Sequence, residues 1–151
     1  MIVNELMSVE IGRYTLTEFL GEGSFGCVYG GVNQKGEKIA MKFAKGEIGK
    51  ILLKNEIKVL LRLKGLSGIS RVKDWGKHNG ENYIVTERLD YALDEVEYMS
   101  DKEITMRKKE LHKILKQTQK KRVMYKDVRL SNLMIKNDKL YVIDYGLWVV
   151  R

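Results

Sequence analysis

The sequence predicts an α+β fold. The first part, residues 1–88, reads as a five-stranded antiparallel sheet with one helix, and the second, residues 89–151, as a long helix and a β-hairpin. Three observations carry this. Short apolar runs recur between Tyr14 and Thr86, broken by glycine- and asparagine-rich turns. Two stretches, 48–64 and 101–122, space their apolar residues at the helical period instead. Finally, Leu133-Met134-Ile135 and Leu140-Tyr141-Val142-Ile143 flank the turn signal Asn137-Asp138, as the arms of a hairpin do.

Residues 1–13 form a lead-in with no assigned element, and Tyr14, Leu16, Phe19 and Leu20 mark the first strand. Gly21-Glu22-Gly23-Ser24-Phe25-Gly26 follows, leading into Cys27-Val28-Tyr29. A Gly-x-Gly-x-x-Gly run that binds a dinucleotide opens a helix. Here it opens onto β-prone residues and then Gly30-Gly31, and each of those glycines would cost a helix about 1 kcal/mol. The glycine run is therefore the tip of a strand–loop–strand hairpin. The third strand, Lys38–Ala44, alternates around Lys42.

In the 48–64 helix Leu52, Val59, Leu60 and Leu63 form one stripe, and Glu56 falls on the same side. A buried carboxylate needs a cation, and Lys42 supplies one. Gly65-Leu66-Ser67-Gly68 stops the helix. Ile69–Trp75 and Tyr83–Thr86 are the last two strands, with Asn79-Gly80 as their turn. In the 101–122 helix Ile104, Leu111, Leu115 and Thr118 form a narrow stripe, and lysines cover most of the rest.

Composition narrows the function classes. The chain has 151 residues, 44% of them hydrophobic, which is enough for one domain with a core. No run approaches the roughly 18 apolar residues of a membrane helix, and the N-terminus lacks the pattern of a secretory signal. The single cysteine, Cys27, fits a reducing, cytoplasmic compartment. A net charge of +8 invites an acidic protein partner or nucleic acid. No aromatic residues interleave the basic runs, so a solvated lysine surface is the better reading and nucleic acid is disfavoured. No membrane partner is expected, and a homo-oligomer stays open.

The chemistry gathers around the hairpin. Asp127 and Asn132 precede it, and Asp144 ends it, followed by Tyr145-Gly146. Two carboxylates and an amide at the mouth of one hairpin can hold a metal by oxygen and take up a proton nearby. Mg²⁺ takes oxygen ligands, usually one or two carboxylates plus substrate phosphates. Taken alone, the stretch reads as a surface hairpin with incidental acids.

The run Tyr125-Lys126-Asp127-Val128-Arg129-Leu130-Ser131-Asn132, with Asp144-Tyr145-Gly146 beyond it, resembles the catalytic loop and metal motif of protein kinases. The wording is closest to the casein kinase one group. The resemblance implies a protein-kinase-like fold whose five-stranded lobe and helix are followed by a truncated second lobe. It further implies a Ser/Thr protein kinase using ATP and Mg²⁺. Asp127 then matches the catalytic base, and Asn132 and Asp144 match the metal ligands. Gly21, Gly23 and Gly26 would cover the phosphates, with Val28 and Ala40 against the adenine. Lys42 would reach the α- and β-phosphates and pair with Glu56. The backbone of Glu87 and Leu89 would bind the adenine edge, with Thr86 behind it, and Met134 joins the nucleotide-binding set.

Three departures stand out: Tyr125 replaces the usual His, Arg129 a phosphate-contacting Lys, and Leu130-Ser131 the usual Pro and acidic residue. The resemblance runs from Tyr14 to Trp148, and only five residues follow Gly146. So short a kinase reads as a reduced fold suited to a compact genome, such as a virus's. The competing reading is a nucleotide-binding pseudokinase that acts by binding a partner kinase or other protein.

Overall fold

The computed structural model describes residues 8–124, 129–146 and 149–150. The chain forms two compact units. One comprises the chain up to Lys54 together with Val72–Arg88, and the other Asn55–Arg71 together with the chain from Leu89 onward.

The first unit is built on an antiparallel sheet. Its strands are β1 (Val9–Ile11), β2 (Tyr14–Glu22), β3 (Gly26–Val32), β4 (Lys38–Ala44), β5 (Val72–His78) and β6 (Glu81–Glu87). They lie in the order β1-β2-β3-β4-β6-β5. The five expected strands are present, and the lead-in contributes a sixth at the edge. That strand folds back onto β2 through a turn in which Gly12 takes φ +59.

Period-two alternation sends Ile39, Met41 and Phe43 to one face, where they join Leu16, Tyr29 and Val85 in a buried core. Phe19, Tyr29, Phe43 and Tyr83 run across it with successive ring centroids 5.5, 6.0 and 5.8 Å apart, spacings that suit edge and tilted aromatic contacts. Each fully buried ring or branched aliphatic contributes about 1.5–3 kcal/mol.

One strand differs from the sequence expectation. β5 begins at Val72 rather than Ile69, because Gly68 and Ile69 are engaged elsewhere. The Gly68 carbonyl accepts from Val142 N–H at 3.0 Å, and Ile69 forms a parallel bridge to Val142. The strand instead runs on to His78, since Asn79 (φ 50) and Gly80 (φ 80) make a two-residue turn of the primed kind.

Helix α1 (Gly46–Arg62) passes from the first unit into the second between Lys54 and Asn55. Gly49, Leu53, Glu56, Val59 and Leu60 are its buried positions, which puts Glu56 on the apolar stripe as its spacing predicts. Leu53 is buried where the spacing pointed to Leu52, a one-residue rotation of the stripe.

The second unit holds α2 (Asp101–Lys120), whose start is capped by Ser100, its hydroxyl oxygen accepting from Glu103 N–H at 3.2 Å. It also holds β7 (Tyr91–Ala92), β8 (Val123–Met124), β9 (Leu133–Lys136), β10 (Lys139–Val142) and β11 (Val149–Val150). β9 and β10 are the expected hairpin, closed by Asn137 (φ 51) and Asp138 (φ 60), and β7 adds a third strand beside β9. β8 pairs with β11. Among the described residues no helix is long and apolar enough to cross a membrane.

Candidate functional site

In the first unit the strand register assembles one half of the predicted chemistry. Val28 lies directly across from Lys42, and Lys42 from Ile84. Gly30, Ala40 and Thr86 form the neighbouring row. Residues paired across antiparallel strands share a face, so Val28, Ala40, Lys42 and Thr86 stand together, all half-buried, on the side opposite the aromatic core. The Glu87 side chain is on the other face, across from Ile39, which leaves its backbone at the end of β6.

The glycine loop closes over this face by local forces. Gly23 N–H donates to Gly26 C=O at 2.9 Å, and two irregularities in the β2–β3 register add twist just before the loop. Lys45 N–H donates to the Phe25 carbonyl at 2.9 Å, and Lys45 Nζ bonds the Glu22 carboxylate and, at 3.3 Å, the Gly23 carbonyl. A Cβ at Gly49 would stand 2.5 Å from the Phe25 carbonyl oxygen, so glycine there lets α1 approach the loop tip. A Cβ at Gly26 would meet Phe43 O at 2.9 Å and Lys42 Cε at 3.3 Å, whereas Gly21 and Gly23 face open space. The loop thus lies close on the Lys42 stem and leaves room at its outer glycines. At the rim of the face, Arg88 and Glu18 form an ion pair at 2.7 Å beside Gly30.

In the second unit the hairpin brings the proposed metal ligands into register. A short 3-10 turn, Leu130–Asn132, enters β9, and Ile143 N–H donates to the Asn132 carbonyl at 2.9 Å. Asn132 is therefore tied to the residue just before Asp144. Asp144 is exposed and takes φ 66, a left-handed backbone uncommon for a residue with a side chain. Such conformations concentrate where function requires them. Tyr145 next to it is 1% exposed, and its hydroxyl donates to the Val142 carbonyl. Burial first, and then the Glu56 carboxylate, hold its phenol well above the usual range, so Tyr145 stays a neutral anchor. Asn55 Nδ2 donates to the Gly146 carbonyl at 2.8 Å. An amide oxygen and a carboxylate are hard oxygen donors, and this set fits Mg²⁺ completed by phosphate oxygens.

The hairpin is itself fastened on two sides. Arg107 on α2, with a side chain 11% exposed, pairs with Glu110 at 2.7 Å and with Asp138 at the turn at 2.8 Å. Glu110 in turn accepts from Leu140 N–H at 2.9 Å. From the other side, Asp90 N–H donates to Ile135 C=O at 2.8 Å, and the Asp90 carboxylate accepts from Asn137 N–H at 3.1 Å. Gly68, at φ 81, admits the side chain of Ile114, which a Cβ there would meet at 2.4 Å.

Of the remaining predicted residues, Leu89 is buried, Met134 is half-buried on β9 across from Tyr141 and Ala92, and Arg129 is exposed at the start of the 3-10 turn. Asp127 lies outside the described residues, as do Tyr125 and Trp148. Cys27 is half-buried against the core, and desolvation pushes its thiol up, so it is no ready nucleophile. Sequence reasoning missed Asn55 and the Arg107–Glu110 pair. A signal for Arg107 was present, because it falls three residues after Ile104 and four before Leu111, beside the stripe, whereas Glu110 lies off it. No pattern in the sequence marks Asn55.

The sequence matches the family model for the protein kinase domain over residues 14–149. The chain belongs to the protein kinase family. Among curated kinases, it is 27% identical over 150 residues to a probable casein kinase I homolog of Encephalitozoon cuniculi, covering 93% of this chain and 47% of that one. It is 27% identical over 147 residues to casein kinase I homolog 1 of Schizosaccharomyces pombe, covering 89% and 33%. A probable serine/threonine-protein kinase of Dictyostelium discoideum is 30% identical over 148 residues, covering 90% and 30%. The chain thus spans about half, or less, of the length of these kinases. The antiparallel sheet with its helix, and the hairpin unit, are the parts of a kinase-like fold that this length carries.

Proposed function

We propose that this kinase-family chain transfers the γ-phosphoryl group of ATP to a Ser or Thr hydroxyl of a protein, with Mg²⁺ as cofactor. The observation that carries the reading is the Asp144 segment. A carboxylate held in a left-handed backbone, with Asn132 tied beside it and a buried Tyr145 behind it, is an arrangement suited to a metal ligand. The face bearing Val28, Ala40 and Lys42 beneath a glycine loop supports the nucleotide half of the reading.

In this mechanism the glycine-loop amides and the Lys42 ammonium orient the phosphates, and Glu56, as the family pattern has it, pairs with Lys42. Glu87 and Leu89 offer backbone groups to the adenine, and Met134 packs against it. Asn132 and Asp144 would hold Mg²⁺, which neutralises phosphate charge. Asp127 accepts the proton of the acceptor hydroxyl as that oxygen bonds to the γ-phosphorus. The bond to the β–γ bridging oxygen breaks, and ADP leaves. Arg129 keeps a positive charge near the transferred group. The excess of basic residues favours an acidic protein acceptor. A cytoplasmic setting accords with the lone Cys27.

One residue favours a second reading, a nucleotide-binding kinase mimic that acts through a protein partner. Arg129 is a planar fork where a compact ammonium is usual, and the two are not interchangeable. Purified protein incubated with Mg²⁺, labelled ATP and an acidic acceptor protein separates the readings. Label incorporation that Asp127→Ala and Asp144→Ala both abolish supports the enzyme. ATP binding with no incorporation in any form supports the mimic and refutes catalysis.

A further inference from the structure

We infer that Asn55 is a positioning residue that sets the metal-ligating carboxylate of Asp144, an inference that rests on reading Asp144 as a magnesium ligand. A side-chain-bearing residue in the left-handed region costs about 1 kcal/mol or more, so the surrounding structure must hold it there. On the N-terminal side, Ile143 N–H is bound by the Asn132 carbonyl at 2.9 Å. On the C-terminal side, the Gly146 carbonyl is held by Asn55 Nδ2 at 2.8 Å, with the Tyr145 carbonyl 3.5 Å from the same nitrogen. The Tyr145 ring is buried, and its hydroxyl is bound to Val142. The segment that carries Asp144 is thus tied at Ile143 before it and at Gly146 after it, and the Asn55 side chain makes the later tie.

The contact needs a donor. An amide nitrogen can give a hydrogen to a carbonyl oxygen, while a carboxylate of the same shape can only accept. Asn55 is partly buried, where a lost partner is less readily replaced by water. It also immediately precedes the buried Glu56 on α1, so the helix presents an amide and a carboxylate in succession. Without the amide, the Asp144 segment relaxes toward ordinary backbone angles, and metal affinity falls while the nucleotide-contacting groups stay intact.

Calorimetric titration of ADP with and without Mg²⁺ tests this on the full chain, on Asn55→Ala, on the isosteric Asn55→Asp, and on Asp144→Asn. In the unaltered protein, Mg²⁺ should strengthen ADP binding, and Asp144→Asn should abolish that strengthening. Both Asn55 variants should need about 10-fold more Mg²⁺ for half of the effect, with metal-free ADP affinity within about twofold, as expected for one hydrogen bond. An unchanged magnesium midpoint in both Asn55 variants overturns the inference. Loss of metal-free ADP binding in both also overturns it, marking Asn55 as a general structural residue. If Asp144→Asn leaves the magnesium effect intact, the metal-ligand reading itself fails and the inference goes with it.

Discussion

At Gly26 any Cβ would stand 2.9 Å from the Phe43 carbonyl oxygen and 3.3 Å from Lys42 Cε. The backbone oxygen cannot give way cheaply, so Gly26→Ala should shift β3 and the lysine stem together. The expected cost is about 1–3 kcal/mol in urea unfolding, with ADP affinity down about 10-fold. Gly21→Ala has open space around its Cβ and should change stability by less than about 0.5 kcal/mol. Tyrosines give a second residue-scale expectation. Tyr14 donates to Asp74 at 3.0 Å, and burial, with that hydrogen bond, pushes its pKa up to about 12. A raised folded pKa means the folded state keeps a proton that the unfolded chain releases near pH 10. Its contribution to stability is therefore full below about pH 10 and is lost as pH rises toward 12. Tyr145, also shifted upward, acts in the same direction. Thermal unfolding should show stability falling as pH rises from about 10 toward 12, less steeply in Tyr14→Phe.

The β9–β10 hairpin is the element on which the proposed metal motif depends, and Arg107 and Glu110 fasten it to α2. Arg107→Ala should cost about 2–3 kcal/mol, because it strips partners from Glu110 and the turn at Asp138. Amide exchange at Leu140, whose N–H is held by Glu110, should quicken more than exchange in β3 and β4. The hairpin itself was legible in advance, because a two-residue turn of Asn and Asp between apolar runs has few alternatives. The α2 stripe was legible only in part. Ile114 and Thr118 are its buried residues, while Arg107 and Glu110 occupy positions that an apolar template skips. The lead-in strand β1 was not legible, since three residues at a sheet edge carry too little periodicity to separate strand from helix.

Across the molecule charge is uneven. Of 28 basic and 20 acidic residues, ten and nine fall in the first unit's sequence, and eighteen and eleven in the second's. If the acceptor is acidic, its KM should rise severalfold between about 50 and 300 mM salt, while that of a neutral acceptor should barely change. The motifs proposed to carry chemistry stand out because each has a fixed spacing: the glycine loop, Lys42, Glu56, and the Asp127, Asn132 and Asp144 series. What fixes them in place was not readable. Asn55 and Gly146 are 91 residues apart in the chain, and a contact of that range leaves no local signature. The central claim is phosphoryl transfer, and it is tested most directly by comparing the transfer rate of the unaltered chain with that of the isosteric Asp127→Asn at saturating Mg²⁺ and ATP. The expected result is measurable transfer that the variant lowers by about 10³-fold with ADP affinity unchanged. Equal rates in the two proteins, or no transfer by either while ADP still binds, would contradict it.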